Sequence, residues 1–164
     1  MKTILSRRFL ILALLISVWA MLPMAAHSES VDITLPVTVS FNVRDVTATT
    51  TGTPNPTTIS FIDAQLSSGK ALRISVKADA IGFMPPSGAA IPSSYVSWTT
   101  SGAAGGSGSN GTLSFDTYTQ VYQSNIDPVT GSVDVTWNLA AAESGVHAGE
   151  HILTLRWKLE SVTP

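Results

Sequence analysis

Few residues of this 164-residue chain are of a type and spacing that could do chemistry. His147 and His151 stand four apart with Glu150 beside them, in Gly145 to His151 (GVHAGEH). Two imidazoles and a carboxylate are ordinary zinc ligands, and an i, i+4 pair grips one ion when a helix brings both rings to one face. Gly145 and Gly149 stand where that helix would run, and each glycine costs a helix interior about 1 kcal/mol. The segment therefore reads as a solvent-exposed turn and not as a metal centre. Serines are plentiful, but a nucleophile needs a base and an orienting group, and no G-x-S-x-G elbow is present. Asp116, Asp127 and Asp134 are scattered and lack the D-x-D-x-D-G order of a calcium loop. Lys70 and Lys77 read as exposed lysines, Lys77 falling on the polar side of its segment. The expectation is a protein that is not an enzyme, with no catalytic residues, no cofactor and no metal.

The elements that would have to position any site are strands. In Val31 to Val43 (VDITLPVTVSFNV) every odd position is apolar: Val31, Ile33, Leu35, Val37, Val39, Phe41 and Val43. Period-2 alternation sends successive side chains to opposite sides of a pleated strand, so one side must be covered. Pro36, on the polar side, has no N–H for a ladder bond, which predicts an edge position or a change of sheet at that point. Ala71 to Phe83 alternates in the other register, with Leu72, Ile74, Val76, Ala78 and Ala80 inward and Arg73, Ser75, Lys77 and Asp79 toward water. Short strands are also expected at Ile59 to Leu66, at Tyr95 to Thr99 and over Thr112 to Gln123, the last with Leu113 and Phe115 on one face. Val133 to Leu139 and Ile152 to Leu159 alternate cleanly, burying Val133, Val135, Trp137 and Leu139 and then Leu153, Leu155, Trp157 and Leu159. Ser101 to Gly111 (SGAAGGSGSNG) reads as a flexible loop. Only Leu139 to Gly145 has helix formers, enough for one turn. Turns every eight to twelve residues between such strands predict an all-β fold: a single antiparallel β-sandwich, immunoglobulin-like or Greek-key, of about seven strands over residues 29–164.

The first 28 residues read as a signal peptide. Lys2, Arg7 and Arg8 precede an apolar run from Phe9 to Leu22, and Ala26-His27-Ser28 offers small residues at the cleavage positions. The run is short of the ~20 residues that span a bilayer, so no membrane anchor is expected after cleavage. Residues 29–164 keep six basic and eleven acidic side chains, a net charge of −5, which argues against a nucleic-acid partner. With no cysteine, an exported domain of this size must be held by its core. The expected location is secreted or cell surface, in a periplasm or outside the cell.

Two Trp-x-Leu triplets fall on strands, Trp137-Asn138-Leu139 and Trp157-Lys158-Leu159, the second within the closing HILTLRWKLESVTP. This ending resembles the closing motif of the WxL surface domains of Gram-positive bacteria, and the chain as a whole is similar to pilin-like bacterial surface β-sandwiches. It departs from the WxL pattern at His151, where that family favours Tyr, at Arg156, where it favours Thr, and in a terminal Pro one residue late. The resemblance implies an exported, cysteine-free domain concerned with cell-envelope attachment or adhesion, whose partner is a cell-wall polymer, surface glycan or surface protein. The candidate binding or assembly residues are Val31, Ile33, Leu35, Val37, Val39 and Phe41 of the first strand and Trp137, Leu139, Trp157 and Leu159 of the triplets. An alternative expectation is a pilin-like subunit that self-assembles by donating residues 31–43 to a neighbour. A surface glycan hydrolase has only the compartment in its favour.

Overall fold

The computed structural model describes residues 28–83, 89–141 and 147–164. The export segment expected over residues 1–28 lies outside them except for Ser28, and the helical turn expected at Leu139 to Gly145 lies outside them from residue 142 onward.

The described residues are all-β, in antiparallel sheets. Numbered along the chain, one sheet contains β1 (Ser30–Thr34), β3 (Thr50–Thr51), β4 (Thr57–Gln65), β8 (Val96–Ala104), β10 (Gly111–Thr112) and β12 (Gly131–Leu139), in the order β1-β4-β12-β8-β10 with β3 also on β12. The second contains β2 (Thr38–Val43), β5 (Ala71–Ala78), β9 (Gly106–Gly108), β11 (Thr119–Ser124) and β13 (Gly149–Val162), in the order β2-β13-β5-β11-β9. A small ribbon pairs β6 (Gly82–Phe83) with β7 (Ile91–Pro92).

Alternation in the long strands delivers one shared core. Ile59, Phe61, Trp98, Val133, Val135 and Trp137 come from the first sheet, and Val39, Phe41, Ile74, Val76, Val121 and Leu153 from the second; all are buried. Aromatic rings bridge the sheets. Trp98 and Trp137, paired in register, have centroids 5.7 Å apart, and Trp137 meets Trp157 of the second sheet at 6.4 Å. Phe61 meets Tyr122 edge-on at 6.0 Å. The Trp98 indole donates to Ser109 O at 2.7 Å and the Tyr122 hydroxyl to Ala104 O at 2.7 Å, so both polar tips are satisfied as their rings are buried. Burial also pushes the Tyr122 phenol pKa up.

The opening segment belongs to both sheets. Residues 30–34 pair with β4 and residues 38–43 with β13, so the chain changes sheet at Leu35-Pro36-Val37 and pairs within its own molecule. Two bonds from β13 hold the crossing: the Trp157 indole donates to Pro36 O at 2.6 Å and the Leu155 N–H to Val37 O at 2.8 Å.

Several inward expectations fail where an element or its cover ends. Val37 is 68% exposed because the chain is passing between sheets at that residue. Leu159 is 39% exposed; β2 flanks β13 only as far as Thr154, and the remainder is paired on one side alone. Ala80 is exposed because β5 stops at Ala78. Ser75, expected in water, is buried between Gln120 and Lys158, its longer neighbours in register. Residues 113–118 are not strand; Leu113 is buried, while Phe115 lies on the surface.

The segment expected to be a flexible loop, Ser101 to Gly111, is strand for most of its length. β8 runs on through Ala104, β9 crosses to β11 of the second sheet, and β10 returns to β8. Its glycines serve close approach. A Cβ on Gly106 would sit 2.3 Å from the Gln123 carbonyl oxygen, and one on Gly111 2.5 Å from the Trp98 ring.

Candidate functional site

Most of the predicted binding residues prove to be packing residues. Val39, Phe41, Trp137 and Leu139 are buried, and Val31, Ile33, Leu35 and Trp157 are partly buried against the same core. Only Val37 and Leu159 of the ten are exposed. The Trp137 and Trp157 rings come together, and Trp157 is bonded to Pro36, but these contacts lie inside the fold and leave no open surface of paired Trp-x-Leu triplets.

Of the two histidines, His147 is exposed, as the turn reading expects, and His151 is not. His151 is fully buried on β13, in phase with Leu153 and opposite Phe41 in register. Its Nε2 lies 3.0 Å from the His147 carbonyl oxygen and its ring meets Phe83 edge-on at 6.3 Å. Strand alternation, reaching back to Gly149, decides this placement and overrides the turn reading. Among the described residues no three His, Asp or Glu side chains gather as a metal site.

Polar chemistry is instead divided between the two outer faces. On the first sheet the outward positions are Thr58 and Ser60 of β4, Ser132, Asp134, Thr136 and Asn138 of β12, and Ser97, Thr99 and Ser101 of β8. Those positions are hydroxyls, an amide and a carboxylate, without a lysine or arginine, and toward β1 the row ends on exposed Ile62 opposite Asp32. Its members bond one another: the Thr58 hydroxyl donates to Asp134 Oδ1 at 2.6 Å, and Thr136 to Asn55 Oδ1 at 3.3 Å.

The second sheet carries Arg73 and Lys77 on β5 and Arg156 and Lys158 on β13, four of the six cations among residues 29–164. Lys77 stands opposite Arg156 in register. Arg156 is ion-paired with Asp79, whose hydrogen bond and charge push the guanidinium pKa further up. Lys158 reaches Glu160 at 2.8 Å. Lys77 has no carboxylate partner among the described residues; its Nζ lies 5.5 Å from the Phe115 ring centroid and 5.3 Å from that of Tyr118, and Lys158 lies 6.0 Å from the latter. Both rings are 39% exposed. Sequence reasoning missed this cluster. The parity of the four cations along their strands was available, but the pairing of β5 with β13, some eighty residues apart, was not.

Two shallow depressions occur elsewhere, one lined by Leu66, Ser67, Ser68 and Asp127, the other by Ser107, Gln123, Ser124, Asn125, Ile126 and Pro164. In the first, Asp127 Oδ1 accepts the Gly69 N–H at 2.8 Å. Comparison with protein families, with characterised proteins and with solved structures finds no match for this chain.

Proposed function

We propose that this chain is an exported bacterial cell-surface domain, a non-enzymatic structural or binding module that attaches to the cell envelope or mediates adhesion. In this reading the two sheets form an immunoglobulin-like, Greek-key sandwich. The passage of the chain from one sheet to the other at β4 to β5, β11 to β12 and β12 to β13 supports that topology. The observation that carries the functional reading is a cysteine-free core under two sheets that offer two broad outer faces of unlike chemistry. Such a scaffold is suited to holding a polymer or a protein at a surface. The partner class is a cell-wall polymer, surface glycan or surface protein, and the location is the periplasm or the cell exterior once residues 1–28 are removed. Fractionation of producing cells, with a pull-down of purified protein on washed envelopes, tests it. Retention on envelopes is expected; release into the medium with no affinity for cells or envelopes overturns it.

Residues 31–43 favour a second reading, a pilin-like subunit that assembles by strand exchange. They form the outer edge of both sheets and bury Val39, Phe41 and Val43, so a neighbour's copy could take the same place. Protein lacking residues 29–45 should then unfold unless a peptide of residues 29–45 is added. Stable folding without the peptide, with a strictly monomeric full-length chain, rules this reading out.

A further inference from the structure

The outer face of the second sheet carries the inference. Between cleavage and the C-terminus the chain has a net charge of −5, yet four of its six cations are gathered on β5 and β13 against two carboxylates that reach them, Asp79 and Glu160. A surplus of positive charge on an acidic protein is local, and it complements an anion. Lys77 adds to this, because its ammonium stands beside two half-open aromatic rings, Phe115 and Tyr118, and is neutralised by no carboxylate among the described residues. Rings beside cations on an open, flat sheet fit a polymer of rings that carry carboxylates: the C–H face of a sugar lies on an aromatic face while its acid meets an ammonium. Neighbouring strands are about 4.8 Å apart, close to the length of one pyranose ring, so β5 and β13 can address successive sugars. Polyphosphate offers no sugar face for Phe115 and Tyr118 to lie on, and an anionic bilayer calls for a larger cluster of cations than this one.

We propose that the face formed by Lys77, Lys158, Phe115 and Tyr118 binds an acidic, uronate-bearing polysaccharide. This rests on the reading of the chain as a surface-binding domain and names the ligand class of that domain.

The test uses the full-length exported protein in affinity gels containing polygalacturonate, with fully methyl-esterified polygalacturonate, polyphosphate and phosphatidylglycerol vesicles as companion probes. Retardation by polygalacturonate alone is expected, abolished by 0.5 M salt as screening requires. The double substitution K77Q/K158Q and, separately, Tyr118→Ala should each weaken it by about tenfold or more. Thr136→Ala on the opposite face should change nothing. No retardation, equal retardation by the esterified polymer, or binding to polyphosphate or vesicles as tight as to polygalacturonate overturns the proposal. So does full affinity in the folded double variant; the salt titration and the esterified probe need no variant and decide the matter if one fails to fold. Envelope retention that K77Q/K158Q leaves intact sinks this inference while leaving the surface-domain reading. Polygalacturonate binding without envelope retention does the reverse.

Discussion

Residues 30–43 and residues 96–112 each take the chain out of one sheet and into the other, by opposite chemistry. The first segment alternates Val, Ile, Leu and Phe, changes sheet at Pro36, and is held by burial of Val39 and Phe41 and by the bond from Trp157 to Pro36 O. The second is largely Gly, Ser and Ala; it holds its place because Gly106 and Gly111 let backbone lie directly on Gln123 and on the Trp98 ring. Between them they supply the outermost strand at both ends of both sheets: β1 and β2 at one end, β10 and β9 at the other. Unpaired edges invite aggregation, and here each stretch supplies an edge strand to both sheets at once. A crossing can thus be specified by the side chains it buries or by the side chains it lacks.

The largest effect that tests this contrast is expected from Phe41→Ala. It empties a fully buried ring site and should cost about 3–5 kcal/mol in urea or thermal unfolding. Gly106→Ala should follow at about 1–3 kcal/mol, although it only adds a methyl group in a stretch that composition marks as a linker. The added carbon meets the backbone of Gln123 and Ser124, which cannot turn aside as a side chain would. A G106A protein as stable as the parent would show that the second crossing is loose and break the comparison. Trp157→Phe keeps an aromatic ring but leaves Pro36 O without its donor, a loss of about 1 kcal/mol. Amide exchange should then quicken in β1 and β2 and stay unchanged in β9, which separates the two crossings in one experiment.

How much of this was legible in the sequence follows from the same contrast. Burial with period 2 announces itself, so the inward rows Leu72-Ile74-Val76, Val133-Val135-Trp137 and Leu153-Leu155 could be read directly, as could the break at Pro36. Alternation does not say where a strand or its neighbour ends or where the chain changes sheet, and Ala80, Leu159 and Val37 were misplaced for those reasons. Glycine was read as freedom when at Gly106 and Gly111 it records contact, because contact between distant backbones leaves no trace in local composition. His151 was read from its glycine neighbours, while the parity of β13 decides its burial. The candidate face combined both difficulties: Arg73, Lys77, Arg156 and Lys158 each stood on the polar parity of their strands, but their adjacency is a property of strand pairing. Phe115 and Tyr118, which complete that face, looked like strand residues.

The smallest expected effect comes from the polar tie at the first crossing's outer end. Glu29 Oε1 accepts the Ser67 N–H at 2.9 Å and the Ser161 hydroxyl at 3.0 Å, joining the start of β1 to the turn after β4 and to the end of β13. The hydrogen bonds from Ser67, then that from Ser161 and the charge of Lys70, hold the Glu29 carboxyl below the usual carboxylate range. A pKa that is lower folded than unfolded means that ionised Glu29 favours the folded chain. Its contribution is complete above the ordinary carboxylate pKa and is lost as the pH falls through the lowered one. The parent should therefore melt slightly above Glu29→Gln at pH 7, and the two curves should converge below about pH 4. Because the group lies in solvent, salt should shrink the difference as well. An offset that ignores both pH and salt would mean that shape, and not charge, fastens this end, leaving strand pairing, the bonds to Pro36 O and Val37 O and the burial of Val39 and Phe41 to hold residues 30–43 in place.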